Sequence, residues 1–219
     1  MQYGGNSAAP IFYRAVAYHG ILSYICRMNE KLLFRRARPA DTERIMEIIR
    51  QAQAQMRALG SLQWQDGYPA RADIDRDIAR GYGYVFEKSD AAENPAAAET
   101  PQKYDKGTVP GGVIAYGAVV FDGEPAYGAI DGAWLTGGDY VVLHRLAVAD
   151  GEKGRGVAAE FMRRTEALAR GRGVGSFRVD TNFDNRYMLR MLERLRFAYC
   201  GKIIYESGER LAFEKPLEA

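Results

Sequence analysis

Apolar positions along this 219-residue chain recur with two periods, and the switches between them mark the predicted elements. Residues 31–38 read as a strand that Pro39 ends. Ile45, Met46, Ile49 and Ala52 then share one face of a helix that Asp41 or Thr42 caps and Gly60 closes. A second helix over residues 71–80 carries Ile74 and Ile78 four apart, and residues 82–87 return to strand. Residues 113–121 form a mostly apolar run of the kind a central strand shows. Another β-rich run fills 140–148. Behind it Val157, Phe161, Thr165 and Leu168 recur at about 3.6 residues, which predicts a helix. A strand over 176–181 follows, then a short helix that Asp184 or Asn185 caps, striped by Met188, Met191, Leu192 and Leu195. A hairpin of 197–205 and 210–214, turning at Ser207 and Gly208, completes the pattern.

Two segments interrupt it. Residues 1–27 are apolar in patches but lack the basic start, continuous apolar centre and small-residue cleavage site of a signal peptide. Met28 is therefore expected to be the biological start, with 1–27 a dispensable extension; an extra docked helix is the other reading. Residues 89–110, rich in Ala, Glu, Pro and Lys, are expected to be a mobile insertion within one domain spanning 28–219. The connection 122–139 differs: Tyr127, Ile130, Trp134 and Leu135 give it too much apolar surface to be wholly disordered.

Composition narrows the class. The length suits one sizeable α/β domain. Charged residues make up 26% and the net charge is +2, so no strong field favours nucleic acid or a membrane surface. Two cysteines, Cys26 and Cys200, are too few for a disulfide framework and suggest a reducing cytoplasm. Cys200 reads as a small core residue rather than a reactive thiol. No apolar run reaches the roughly 18 residues of a membrane span. The two histidines, His19 and His144, show no metal-ligand spacing, so no metal is expected.

Candidate chemistry begins at Lys153-Gly154-Arg155-Gly156-Val157-Ala158, between the 140–148 strand and the helix behind it. Glycines there let backbone N–H groups approach an anion, and the helix dipole adds attraction. A diphosphate is the natural guest. A similar string, Arg170-Gly171-Arg172-Gly173-Val174-Gly175, follows a helix and precedes a strand, so it is expected to be a helix C-cap and turn.

The first string resembles the acyl-CoA pyrophosphate loop of the GNAT superfamily of N-acetyltransferases, Gln/Arg-x-x-Gly-x-Gly/Ala, with Lys153 at the Gln/Arg position. Residues 185–197 resemble that family's second block, with Met188, Leu192, Arg196 and Phe197 at its Ala, Tyr, Gly and Phe places. Gln63-Trp64, Tyr68-Pro69, His144-Arg145, Asp180-Thr181 and Cys200-Gly201 together resemble a bacterial GNAT subgroup of undefined substrate. The resemblance covers residues 32–215. It implies a single-domain α/β GNAT fold, a mixed central β-sheet flanked by helices on both faces.

It also implies acetyl-CoA as co-substrate and an amine acceptor, the acetyl group passing by direct attack of the amine. Pantetheine would bond the main chain of Leu146, Ala147 and Val148 as an added strand, with Asn185 nearby and the pyrophosphate on the N–H groups of Lys153, Gly154, Arg155, Gly156, Val157 and Ala158. The N–H of Leu146 would face the developing oxyanion. The side chains of Lys153 and Arg155 either neutralise phosphate or are simply solvated.

His144 is the candidate base, since an imidazole of unperturbed pKa about 6.5 takes a proton near neutral pH. Its other reading is a histidine satisfied within the sheet. Strict alternation would put it on one face with Val142, Leu146 and Val148. Leu192 occupies the family's usual Tyr position and donates no proton; Tyr187, Tyr199, Tyr205 or a water is left for that role. Trp64, Tyr68, Asp180 and Asn182 are the acceptor-site candidates, although a Trp in a polar loop is more often a packing anchor. An acyl-CoA-binding or regulatory module without catalysis is the alternative function, and a homodimer accords with family habit. A nucleic-acid-modifying toxin of this fold would need a basic face that the charge does not supply.

Overall fold

The computed structural model describes residues 32–88 and 112–217. The readings of residues 1–27, of Met28 and of the 89–110 insertion lie outside the described residues, as do His19 and Cys26. In chain order come β1 (Leu32–Arg36), α1 (Thr42–Ala58), α2 (Arg71–Ala79), β2 (Gly83–Lys88), β3 (Gly112–Val120), β4 (Asp131–Gly132) and β5 (Tyr140–Val148). There follow α3 (Val157–Arg170), β6 (Ser176–Thr181), α4 (Arg186–Arg194), β7 (Ala198–Tyr205) and β8 (Gly208–Pro216). The strands form one mixed sheet in the order β1-β2-β3-β5-β6-β8-β7-β4, antiparallel throughout except between β5 and β6.

Helices cover both faces because each carries one apolar stripe. Ile45, Ile48 and Ile49 of α1 and Ile74 of α2 pack on Val85, Tyr116 and Ala147 of one face. On the other, Phe161 and Met162 of α3 and Leu192 of α4 meet Phe86, Leu143, Val148 and Phe177. Each such side chain fully buried contributes about 1.5–3 kcal/mol of transfer free energy. A third cluster of Val120, Tyr127, Val142, Ile203 and Ala212 seats the 122–139 connection on the sheet. That connection is further held by Glu214, fully buried, which accepts from Arg178 Nε at 3.0 Å, from Thr136 Oγ1 at 2.6 Å and from the Leu135 N–H.

Alternation along β5 fails at one point, contrary to the sequence expectation. Ala118 pairs with His144 but Tyr116 pairs with Ala147, so Arg145 and Leu146 together oppose the single residue Gly117. Arg145 takes up the extra residue at φ +58. The bulge reverses the facing of everything after it. Val142 belongs to the cluster beneath the 122–139 connection, whereas Val148 and Leu146 pack on the α3 side. His144 thus points away from the face that Leu146 and Val148 share.

The second glycine string is a helix end. Gly171 is the C-cap of α3, Gly173 has φ +72, and the Val174 N–H returns to the Ala169 carbonyl at 3.0 Å.

Candidate active site

β5 and β6 pair only at Tyr140–Ser176, Val141–Phe177 and Val142–Arg178, after which each strand runs on without the other. The unpaired edges of β5 beyond Val142 and of β6 beyond Arg178 leave a wedge in mid-sheet. A free strand edge in a protein interior offers main-chain donors and acceptors to an extended guest. Leu146, Ala147 and Val148 lie on that edge.

Past the end of β5, a 3-10 turn over Asp150–Glu152 leads to Gly154 at φ +77 and Gly156 at φ +81, the N-cap of α3. No side chain caps the helix, and a Cβ built at either glycine meets nothing within 4 Å. Space thus remains beside both glycines at the start of α3, where first-turn amides lack partners within the helix, the arrangement that an anion fills. The loop's cations are held by its own acids: Lys153 Nζ is 2.5 Å from Asp150 Oδ1, and Arg155 Nη1 is 3.7 Å from Glu152 Oε2.

A cleft of about 580 Å³ opens where β5 and β6 part. It brings together Trp64, Tyr68, His144, Leu146, Asp180 and Asn185 among the sequence candidates. Its lining also includes the loop between α1 and α2, Gly123, Glu124 and Pro125, and Ser207 and Arg210 of the β7–β8 turn. Lys153 through Ala158, Ala147, Val148 and Asn182 stand outside it. Asn182 is buried and gives its amide to Asp184 Oδ1 at 2.8 Å, which also accepts from Ser61 Oγ at 2.8 Å. Asn185 caps α4 by accepting from the Met188 N–H at 3.2 Å, and its amide lies 3.3 Å from Gln63 Oε1. Both asparagines thus fasten the α1–α2 loop. Trp64 packs against the α1–α2 core while lining the cleft, so its two readings are compatible.

His144 sits between two carboxylates. Its Nε2 lies 3.2 Å from Glu124 Oε2 and its Nδ1 lies 4.0 Å from Asp180 Oδ1. The Glu124 carboxyl is held below its usual range, first by the His144 hydrogen bond, with burial opposing and the Ala126 N–H assisting. An ionised carboxylate only accepts, so Nε2 is the nitrogen that donates to Glu124, and in the neutral imidazole the lone pair is on Nδ1. Nδ1 lies 4.0 Å from Asp180 Oδ1, beyond hydrogen-bond reach. Asp180 Oδ1 instead accepts from Tyr127 Oη at 2.6 Å and from Tyr205 Oη at 3.4 Å.

Of the three tyrosines considered as acids, Tyr205 lines the cleft, while Tyr187 and Tyr199 are more than half exposed. Burial, then Asp180, pushes the Tyr205 hydroxyl well up, so it holds its proton firmly. Leu192 is fully buried in the core. Cys200 is also buried, which pushes its thiol up. Sequence reasoning missed Glu124, which lies in an aperiodic turn that gives no signal. It also missed Asp77, three residues after Ile74 on the buried stripe of α2, where spacing does point to it.

A sheet split between β5 and β6, with an open glycine-lined helix start behind the split, defines a fold for acyl-CoA chemistry. Residues 56–197 match the acetyltransferase (GNAT) family, and the chain belongs to that family of acetyl-CoA-dependent N-acetyltransferases. The crystal structure of a GNAT-family acetyltransferase from Streptococcus agalactiae 2603 is similar at 33% identity and TM-score 0.70, over 86% of this chain and 96% of that one. A GNAT-family acetyltransferase from Listeria monocytogenes 4b F2365 shares 20% identity at TM-score 0.61, over 85% and 95%. The NatC complex bound to Gag peptide and CoA is alike in fold, at 12% identity and TM-score 0.52 over 86% and 99%. No curated protein matches the chain. Among the described residues, no helix is long and apolar enough to cross a membrane.

Proposed function

We propose that this acetyltransferase moves the acetyl group of acetyl-CoA to a primary amine of a small molecule, with His144 as the group that takes the amine's proton. The observation that carries this reading is the imidazole itself: it lies in the cleft at the strand split, its Nε2 3.2 Å from Glu124 and its Nδ1 4.0 Å from Asp180, beyond hydrogen-bond reach. Acetyl-CoA supplies an activated thioester carbonyl. The amides of residues 153–158 would hold its diphosphate, and the edge of Leu146, Ala147 and Val148 its pantetheine.

The chain's residues then have distinct tasks. Asp180 and Tyr68 line the cleft where the amine would sit, and Asp180 attracts it as an ammonium. The ammonium first sheds one proton to water, which frees its lone pair; His144 Nδ1 then takes the second proton as the nitrogen bonds to the acetyl carbon, and the Glu124 carboxylate stabilises the imidazolium that results. The Leu146 N–H donates to the carbonyl oxygen as it gains charge. The carbon–sulfur bond breaks with its electron pair on sulfur. A thiolate leaves adequately without an acid, which suits a site with Leu192 buried and the Tyr205 proton firmly held. The bounded cleft has the volume of small-molecule sites, roughly 300–1,000 Å³.

His144→Gln is expected to bind acetyl-CoA normally while kcat falls about 10²–10⁴-fold. Near-normal turnover across pH in that variant would remove His144 from the mechanism. An acyl-CoA-binding module is the second reading, favoured by the buried Leu192 in place of a hydroxyl donor.

A further inference from the structure

Arg145, beside the proposed base, points to none of the groups that handle the proton. Its Nε and Nη2 reach the two oxygens of Asp77 at 2.8 and 2.6 Å, and its Nη1 donates to Tyr68 Oη at 2.5 Å. Tyr116 Oη, from β3, donates to Asp77 Oδ2 at 2.6 Å. Asp77 is 3% exposed. A charge pair this deep gains little over apolar packing of the same volume, because both ions lose their water. What a planar, two-pronged pair does supply is a fixed geometry.

The geometry it fixes is the bulge. Arg145 holds φ +58, a conformation that residues other than glycine rarely adopt, and only a surrounding structure that over-determines it keeps it there. Asp77 is anchored from two directions, through α2 packed on the sheet and through Tyr116 on β3. The guanidinium is thus tied to α2 directly and to β3 through Asp77 and Tyr116. Its remaining prong ends on Tyr68, in the α1–α2 loop that lines the cleft. One side chain therefore spans from the strand edge to the acceptor wall.

We propose that Arg145 is a positioning residue that ties the α1–α2 loop to the β5 bulge, so that seating an acceptor against Tyr68 and presenting the Leu146 N–H to the thioester are a single event. The part concerning Leu146 rests on the reading given under Proposed function. The tie itself rests on the hydrogen bonds above.

Two variants of the full chain test it, Tyr68→Phe and Asp77→Asn. Backbone hydrogen exchange is read in residues 60–69 and 140–149 without ligand, and steady-state rates are read with acetyl-CoA and an amine. In Tyr68→Phe, exchange is expected to rise about ten-fold in both segments, as loss of one hydrogen bond to a charged group predicts. In both variants kcat falls about 10- to 100-fold through misplacement of reacting groups. The KM for acetyl-CoA stays within about two-fold, because uniform binding is untouched. Faster exchange confined to 60–69 would overturn the tie, as would unchanged kcat in the folded Tyr68→Phe protein. Should Asp77→Asn fail to fold, Tyr68→Phe decides alone. A wild-type enzyme without transfer activity removes the role of Leu146, while coupled exchange in the two segments still upholds the tie.

Discussion

His144 faces two carboxylates with different tasks, and the difference is one of distance. Glu124 at 3.2 Å is within hydrogen-bond reach of Nε2, whereas Asp180 at 4.0 Å from Nδ1 accepts from Tyr127 and Tyr205 instead. The Glu124 carboxyl is depressed by His144, so its contribution to stability is complete above its ordinary value of 4.5 and is lost as pH falls through the lower folded value. In Glu124→Gln that contribution is missing at every pH. The melting-temperature gap to wild type is therefore expected to be widest above pH 4.5 and to close below it, as measured by thermal unfolding across pH. A gap that stays constant into strong acid would mean that the pair stabilises nothing. The candidate base was visible in the sequence as one of two histidines, on a predicted strand. Its partner was not, because Glu124 follows a turn without period, and only tertiary folding of the 122–139 connection brings it to β5.

Most elements were legible because their apolar periods are strong. β5 and α3 fall where the pattern put them, and the order of strand, loop and helix distinguished the 153–158 loop from the similar glycine string at 170–175. The bulge was not legible. An arginine in left-handed conformation is disfavoured locally, and its hydrogen bonds to Asp77 and Tyr68 join residues far apart in sequence. Alternation therefore placed His144 beside Leu146, when the two face opposite sides. The α3 N-terminus yields its own prediction. Gly156 at φ +81 has open space at its Cβ, so Gly156→Ala is expected to cost about 1 kcal/mol from backbone strain with little loss of CoA affinity. Gly156→Glu adds an anion where the diphosphate would sit and is expected to weaken CoA binding at least about ten-fold, a loss that salt reduces. Normal CoA affinity in Gly156→Glu, measured by calorimetry, would overturn the assignment of that loop.

The whole molecule joins a sheet anchored by two helical layers to a wedge that its own strands do not fill. The anchoring is heavy around the wedge: Arg178–Glu214 fixes the 122–139 connection on one side, and Arg145–Asp77 fixes the bulge and the α1–α2 loop on the other. A binding module needs only the wedge and the open helix start. An enzyme also needs a proton path in the cleft, the role proposed for the His144–Glu124 pair. Release of free CoA thiol from acetyl-CoA, followed with a broad panel of small amines and amine-bearing peptides, separates the two most directly. The account predicts release above background hydrolysis with at least one small primary amine, and its loss in His144→Gln. Acetyl-CoA that binds and raises the melting temperature, yet yields no thiol with any amine in the panel, would contradict it.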